Sequence, residues 1–245
     1  MSVQADWIAA LLTAGIVGVY ELWFALAQRR RPLKLARTAH TELRQEWFDA
    51  VSRQPGSEIL TVQTLRNALM SASMMASTTA LGLMGAVTLF TASTRDSLNA
   101  APQLSALLTP RLVVELIILT LLFGALVSST MSVRYYNHAG FIGGMPVGSE
   151  ARSRWHEVGR AHVRRAGILY SWSLRNLVLV IPALAFLLFP MAGPLLAAAV
   201  TGVLWAIDQV NAPGPDRIQA SQAEPSQNTS SHDAPSQASE TKNAP

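Results

Sequence analysis

The sequence predicts an all-α fold: a polytopic transmembrane helix bundle of five spans, four being the alternative count, with interfacial amphipathic helices in its cytoplasmic loops. Three observations predict it. Half of the 245 residues are hydrophobic and only 14% are charged, against about 25% in a typical soluble domain. The apolar residues gather into uncharged runs of the length a bilayer needs, about 20 residues. The positive charge gathers between those runs: residues 28–66 hold eight Lys/Arg and residues 134–167 hold six, out of 19 in the chain.

The spans follow in order. Trp7 to Ala27 is the first, with Glu21 as its one charge. It reads as a span and not a cleaved signal, since residues 1–27 have no Lys or Arg and the run is longer than a signal core. Asn67 to Ala92 is uncharged, Leu112 to Val133 has Glu115 near its start, and Ile168 to Phe189 contains Arg175. Pro190 to Ile207 is shorter and ends before Asp208. Pro190, Gly193 and Pro194 separate the last two, because proline removes a donor and clashes with the preceding turn. A straight helix from 168 to 207 would run about 60 Å, twice the hydrocarbon thickness. The chain is therefore expected to turn at Pro190–Pro194 and return.

Cytoplasmic loops of membrane proteins carry the excess of Lys and Arg. That rule places the 28–66 and 134–167 loops inside an inner (plasma) membrane, the N-terminus and the 93–111 loop outside, and with five spans the C-terminus inside. With four spans the tail lies outside. In the first basic loop, Leu43, Trp47 and Val51, with Ala36 and Ala39, fall near one helical face over Leu33 to Val51. Gln54-Pro55-Gly56 ends that helix, and Ser57 suits an N-cap for the next. Ser149 to Ala166 repeats the design with Trp155, Val158 and His162. Both segments are expected to lie on the inner leaflet. Residues 1–211 form the membrane domain. Residues 212–245, rich in Ser, Gln, Ala, Pro and Asn, have nothing to bury and are expected to be disordered.

Two short segments resemble each other. Ile59 to Asn67 and Ile168 to Asn176 agree at five of nine positions, each ending Leu-Arg-Asn, and each follows a basic loop. This suggests parallel repeats about an axis along the membrane normal; the alternative is chance convergence on a boundary arginine.

Ionisable groups in a bilayer are costly and mark functional candidates. Every span brings a polar group towards the inner leaflet: Glu21, then Arg66 with Asn67, then Arg134 with Asn137 and His138, then Arg175 with Asn176, and finally Asp208. The expected site is a cluster of Glu21, Arg66, Arg134, Arg175 and Asp208 with His138 nearby, and its surplus of arginine suits a small anionic solute or an anionic lipid headgroup. The alternative is snorkelling arginines and ion pairs that hold helices together. A third reading uses Glu21 and His138 as acid and base of a membrane-embedded enzyme.

Soluble chemistry finds no foothold. The chain has no cysteine, which excludes thiolate metal sites and cysteine nucleophiles. His156-Glu157 and His162 lack zincin spacing, the glycines from 140 to 148 lack a following P-loop lysine, and no Gly-x-Ser-x-Gly elbow occurs. No cofactor or metal is expected. The pI near 10 arises in the two inner loops, so nucleic acid is not an expected partner. Small residues at four-residue spacing (Ala72, Ala76, Ala80; Gly124, Ser128; Ala198, Gly202) suit close helix packing or a homo-oligomer.

Arg44-x-x-Trp47, Val62-Gln63-Thr64-Leu65-Arg66-Asn67, Ala76-Ser77-Thr78 and Arg134-Tyr135-Tyr136-Asn137-His138 together resemble a family known as domain of unknown function 599, with bacterial and plant members. The resemblance continues through Arg175, Gly193-Pro194 and Ile207-Asp208, over roughly residues 5–210. It implies a membrane protein with a shared inner-leaflet polar motif and brings no reaction with it.

Overall fold

The structure, a computed structural model, describes residues 3–30, 36–100 and 109–208. The 212–245 tail lies outside the described residues, as do residues 31–35 of the first basic loop and residues 101–108 of the loop expected outside. The described residues are all-helical, with no strand. In chain order the helices are α1 (Val3–Arg30), α2 (Ala36–Arg53), α3 (Glu58–Ala100), α4 (Pro110–Gly143), α5 (Glu150–Leu188) and α6 (Ala192–Asp208). Four of them, α1, α3, α4 and α5, are long and apolar enough to cross a membrane. Helix α6 is apolar but shorter, at 17 residues.

Helix ends follow local chemistry. Thr109 caps α4, its hydroxyl accepting from the Leu112 N–H at 3.2 Å, and Pro110 occupies the first turn, where no intrahelical donor is needed. Ser57 stands at the N-cap of α3: its carbonyl accepts from the Thr61 N–H at 2.9 Å. Its hydroxyl turns back and donates to the Val51 carbonyl, so one residue joins α2 to α3. Gly56 supplies the left-handed φ of 84° that this tight turn needs. The break at Pro190 is where it was expected. Helix α5 ends at Leu188, and the Ala192 N–H donates to the Phe189 carbonyl at 2.8 Å to start α6.

The second amphipathic segment departs from expectation. It is not a separate helix on the leaflet; residues 150–188 form one helix of 39 residues, about 58 Å long at 1.5 Å per residue. Nothing between Ala166 and Ile168 breaks it. Gly167 is there because of a neighbour: a Cβ at this position would run into the Arg44 guanidinium of α2. Helix α3, with 43 residues, is likewise longer than its uncharged stretch, and α4 continues past Val133 to Gly143. Three helices thus carry helical extensions beyond the apolar stretches 67–92, 112–133 and 168–188.

Those extensions build a second core. One cluster joins Ala9, Ala10, Ile118, Leu122, Val180 and Phe186 at one end of the bundle. The other joins Phe48, Leu65, Tyr136, Ile142 and Val163 at the opposite end. The pairings make α4 antiparallel to both α3 and α5, and α1 antiparallel to α5. Helix α2 therefore packs Phe48 and Trp47 against protein. Phe48 is fully buried, and it sits so close to Gly159 that a Cβ there would lie 2.8 Å from its ring. Leu43, on the apolar face expected to lie on the leaflet, is 60% exposed, whereas Phe48, outside that set, is buried. Arg152 ties off the end of α4 by donating from Nη1 to the carbonyls of Gly143, at 2.9 Å, and Met145.

Truncation of Phe48 to alanine is expected to weaken the docking of α2 by about 3–5 kcal/mol, the usual cost of emptying a buried aromatic site. Hydrogen exchange should quicken through α2 and the first half of α5, while the apolar stretch of α4 stays protected. Uniform quickening, or none, would show that α2 is not held here.

Candidate functional site

The polar residues picked out by sequence fall into three arrangements along the bundle. The deepest is an ion pair between α1 and α5. Arg175 is 5% exposed and donates from Nε to Glu21 Oε1 at 2.6 Å, while Glu21 is 30% exposed. The Arg175 guanidinium carbon also lies 4.7 Å from the centroid of the Tyr20 ring, a cation–π contact. Asn176, the next residue, packs beside α4, where a Cβ on Gly124 would lie 3.0 Å from Asn176 Nδ2. Ser173 fixes the level of this layer by donating to the Ala125 carbonyl at 2.9 Å.

The second arrangement lies where α2, α3 and α4 meet. Leu65 and Tyr136 are buried side by side and form a wall with a groove on each face. On one face Arg66 and Asn137 stand over Val62, Leu69, Gly140 and Phe141, around a volume of about 490 Å³. On the other face Arg44, Trp47 and Thr64 enclose about 330 Å³. Three of the sequence motifs, around Arg44, Arg66 and Tyr136, converge on this wall. Arg66 shares its groove with Asn137, twelve residues along α4 from the Ala125 level of the Arg175 layer. That is about 18 Å of helix, so Arg66 and Arg175 do not meet. Asn67 and Arg134 are exposed, and the side chain of Asp208 lies outside the described residues.

The third arrangement pairs histidines. His138 on α4 faces His162 on α5, ring centroids 5.7 Å apart, and Tyr135 lies 5.3 Å from the same His162 ring. Arg165 sits 6.0 Å from the Tyr135 centroid. Burial, then the neighbouring His138, then Arg165 hold the His162 pKa below its usual value of 6.5. Spacing placed His162 on the apolar side of its segment but assigned it no role. The reason is that its partner, His138, is on a different helix, and only the helical continuation of α4 past Val133 brings the two together. Arg44 was likewise visible only as a motif residue; its contact with Gly167 is tertiary.

Two outcomes follow from this geometry. Glu21→Gln leaves a buried guanidinium that cannot shed its charge. It is expected to destabilise the protein by about 3 kcal/mol, the low end for a broken buried pair because Glu21 is partly exposed. The double variant with Arg175→Met should recover most of that loss. Thermal unfolding in detergent checks both, and a double variant no better than the single one would overturn the pairing. The second outcome concerns pH. His162 has a folded-state pKa below the unfolded one, so the unfolded chain binds the extra proton as pH falls. Stability is then full above pH 6.5 and declines through the window between 6.5 and the lower folded value. His162→Gln should flatten that decline in a denaturation series from pH 7.5 to 5.

The comparisons place the chain among known sequences. The model of the family described as "Protein of unknown function, DUF599" matches residues 8–212. No curated protein and no solved structure matches. The match spans α1 to α6 and takes in the convergent wall of Leu65 and Tyr136 as well as the Glu21–Arg175 pair, and the chain belongs to the DUF599 family.

Proposed function

We propose that this is a five-span inner-membrane protein that binds the headgroup of an anionic lipid in the groove of Arg66 and Asn137. One observation carries the reading: this groove sets a guanidinium and an amide over an apolar floor of Val62, Leu69 and Phe141. A phospholipid has the matching chemistry, with a phosphate for Arg66 and an acyl chain for the floor. The level of the groove fits as well. Ser132 on α4, at the end of the apolar stretch, bonds to Ala166 on α5, and Asn137 follows five residues later. The groove thus stands about 8 Å past the end of that stretch, at headgroup depth.

The orientation rests on the basic loops, which put this end of the bundle in the cytoplasm. The fifth span rests on α6. It has no charge before Asp208, and Leu195, Val203, Trp205 and Ile207 are all exposed on its surface, which suits lipid contact and not water. Its start packs against Thr13 of α1 and Phe186 of α5, with a Cβ at Gly193 only 2.6 Å from Thr13 Oγ1. From there it turns back alongside α1. For Glu21 and Arg175 the one-to-one ion pair favours a different role, that of holding α1 to α5.

Native mass spectrometry of the protein released from nanodiscs tests the lipid reading. With equal phosphatidylglycerol and phosphatidylcholine supplied, the protein should retain phosphatidylglycerol preferentially. Arg66→Ala should abolish that preference without changing subunit number, and equal retention of both lipids by the parent protein overturns the reading. The cysteine-free chain lets topology be read in the same preparations: Met191→Cys should label from outside intact cells, and Ser153→Cys only after permeabilisation.

A further inference from the structure

A second pocket lies farther from the bilayer, between the end of α2 and the start of α5. It encloses about 660 Å³ and is lined mainly by polar groups, among them Arg53, Arg152, His156, Arg160 and Asp49. The positive side of this set is held in place. Asp49 lies 3.0 Å from His156 Nε2 and 3.2 Å from Arg160 Nε, which places the imidazole and the guanidinium along one wall. Glu157, the other acid, is 80% exposed and 3.9 Å from Arg160.

Arg152 is the unusual member. It is 3% exposed, yet no carboxylate lies within ion-pair distance of it among the described residues. Its Nη groups reach backbone carbonyls and, at 3.5 Å, Ser52 Oγ. Its Nε is buried without a hydrogen-bond partner. Burying a charge without a counter-charge is costly, and burial does pull the Arg152 pKa down, partly opposed by Glu58. A guanidinium nevertheless stays protonated at neutral pH. Beside it begins α5, whose N-terminal end carries the positive pole of the helix, capped by Ser149 after Gly148 at φ 85°. Arg53 opens onto the same space from the last turn of α2. Arg152, two further arginines, a histidine and a helix N-terminus line one polar volume, and a phosphate supplies the counter-charge that Arg152 lacks.

We propose that this pocket binds a water-soluble phosphate-bearing anion. The location decides against a lipid. Arg152 lies sixteen residues before Ile168, where the apolar stretch of α5 begins, so about 24 Å of helix separates it from the bilayer under the span reading given above. The mainly polar lining also has no place for an acyl chain. The site is distinct from the Arg66 groove, and its ligand arrives from the cytoplasm.

The test is calorimetric titration of inorganic phosphate and pyrophosphate into the full-length protein in phosphatidylcholine nanodiscs at constant ionic strength. Saturable binding of pyrophosphate is expected, and Arg53→Gln and Arg160→Gln should each weaken it tenfold or more. Arg53 is exposed at a helix end, so its variant keeps the fold even if Arg152→Gln does not. Arg66→Ala should leave pyrophosphate binding unchanged, which separates failure here from failure of the lipid reading. Absence of saturable binding overturns the proposal, as does binding indifferent to both arginine variants. Occupancy only in phosphatidylglycerol nanodiscs, with no pyrophosphate signal, assigns the pocket to a lipid headgroup and overturns the water-borne ligand.

Discussion

Two hydroxyls set the register of this bundle. Ser132 on α4 donates to the Ala166 carbonyl on α5 at 2.8 Å, and Ser173 on α5 donates to the Ala125 carbonyl on α4 at 2.9 Å. All four residues are fully or nearly fully buried, and the exchange is reciprocal. In a bilayer no hydrophobic force draws helices together, so close packing and such hydrogen bonds carry the association. A slip of one turn would strand both hydroxyls in an apolar seam. Every other layer takes its height from this one.

The seam explains why the charged groups sort as they do. Below Ser173, Arg175 reaches α1 and finds Glu21. Above Ser132 the helices have left the apolar zone, and exposed arginine is tolerated at Arg134 and Arg66. The extension of α4 then needs a terminus, and Arg152 provides it by taking the last carbonyls. The guanidinium supplements the C-cap at Gly144, whose N–H bonds back to the Gly140 carbonyl, at the expense of burying its charge. Glycine marks the tight contacts: Gly143 meets Thr61, Gly159 meets Phe48, and Gly167 meets Arg44.

The parts of the fold that composition controls were legible in the sequence. Apolar run length gave the long helices, and the Pro190–Pro194 segment gave the break after Leu188, since proline acts locally. Continuity was not legible. Amphipathic residues 149–166 have the same pattern whether they lie on a membrane or extend a helix above it, because periodicity reports a buried face and not what covers it. The site divides the same way. Ionisable residues in apolar runs are conspicuous, so Glu21 and Arg175 stood out, but which partner each meets depends on helix register. The sequence groups Arg66 and Arg175 because each span brings a polar group towards the same end, and the residues between Ala125 and Asn137 on α4 set them apart. Arg152 gave no signal at all, being one of six basic residues in a basic segment.

The unbroken α5 has a mechanical meaning. From Glu150 to Ile181 it contains no proline, and its first proline, Pro182, comes after Arg175. Helix kinks concentrate at proline and at disrupted backbone bonds, so the segment behaves as a stiff rod with any hinge at its far end. Arg152 near one tip and Arg175 towards the other are then parts of one lever. A tilt of a few degrees at the Arg152 tip would displace the Arg175 arm by ångströms about the serine-pinned seam with α4.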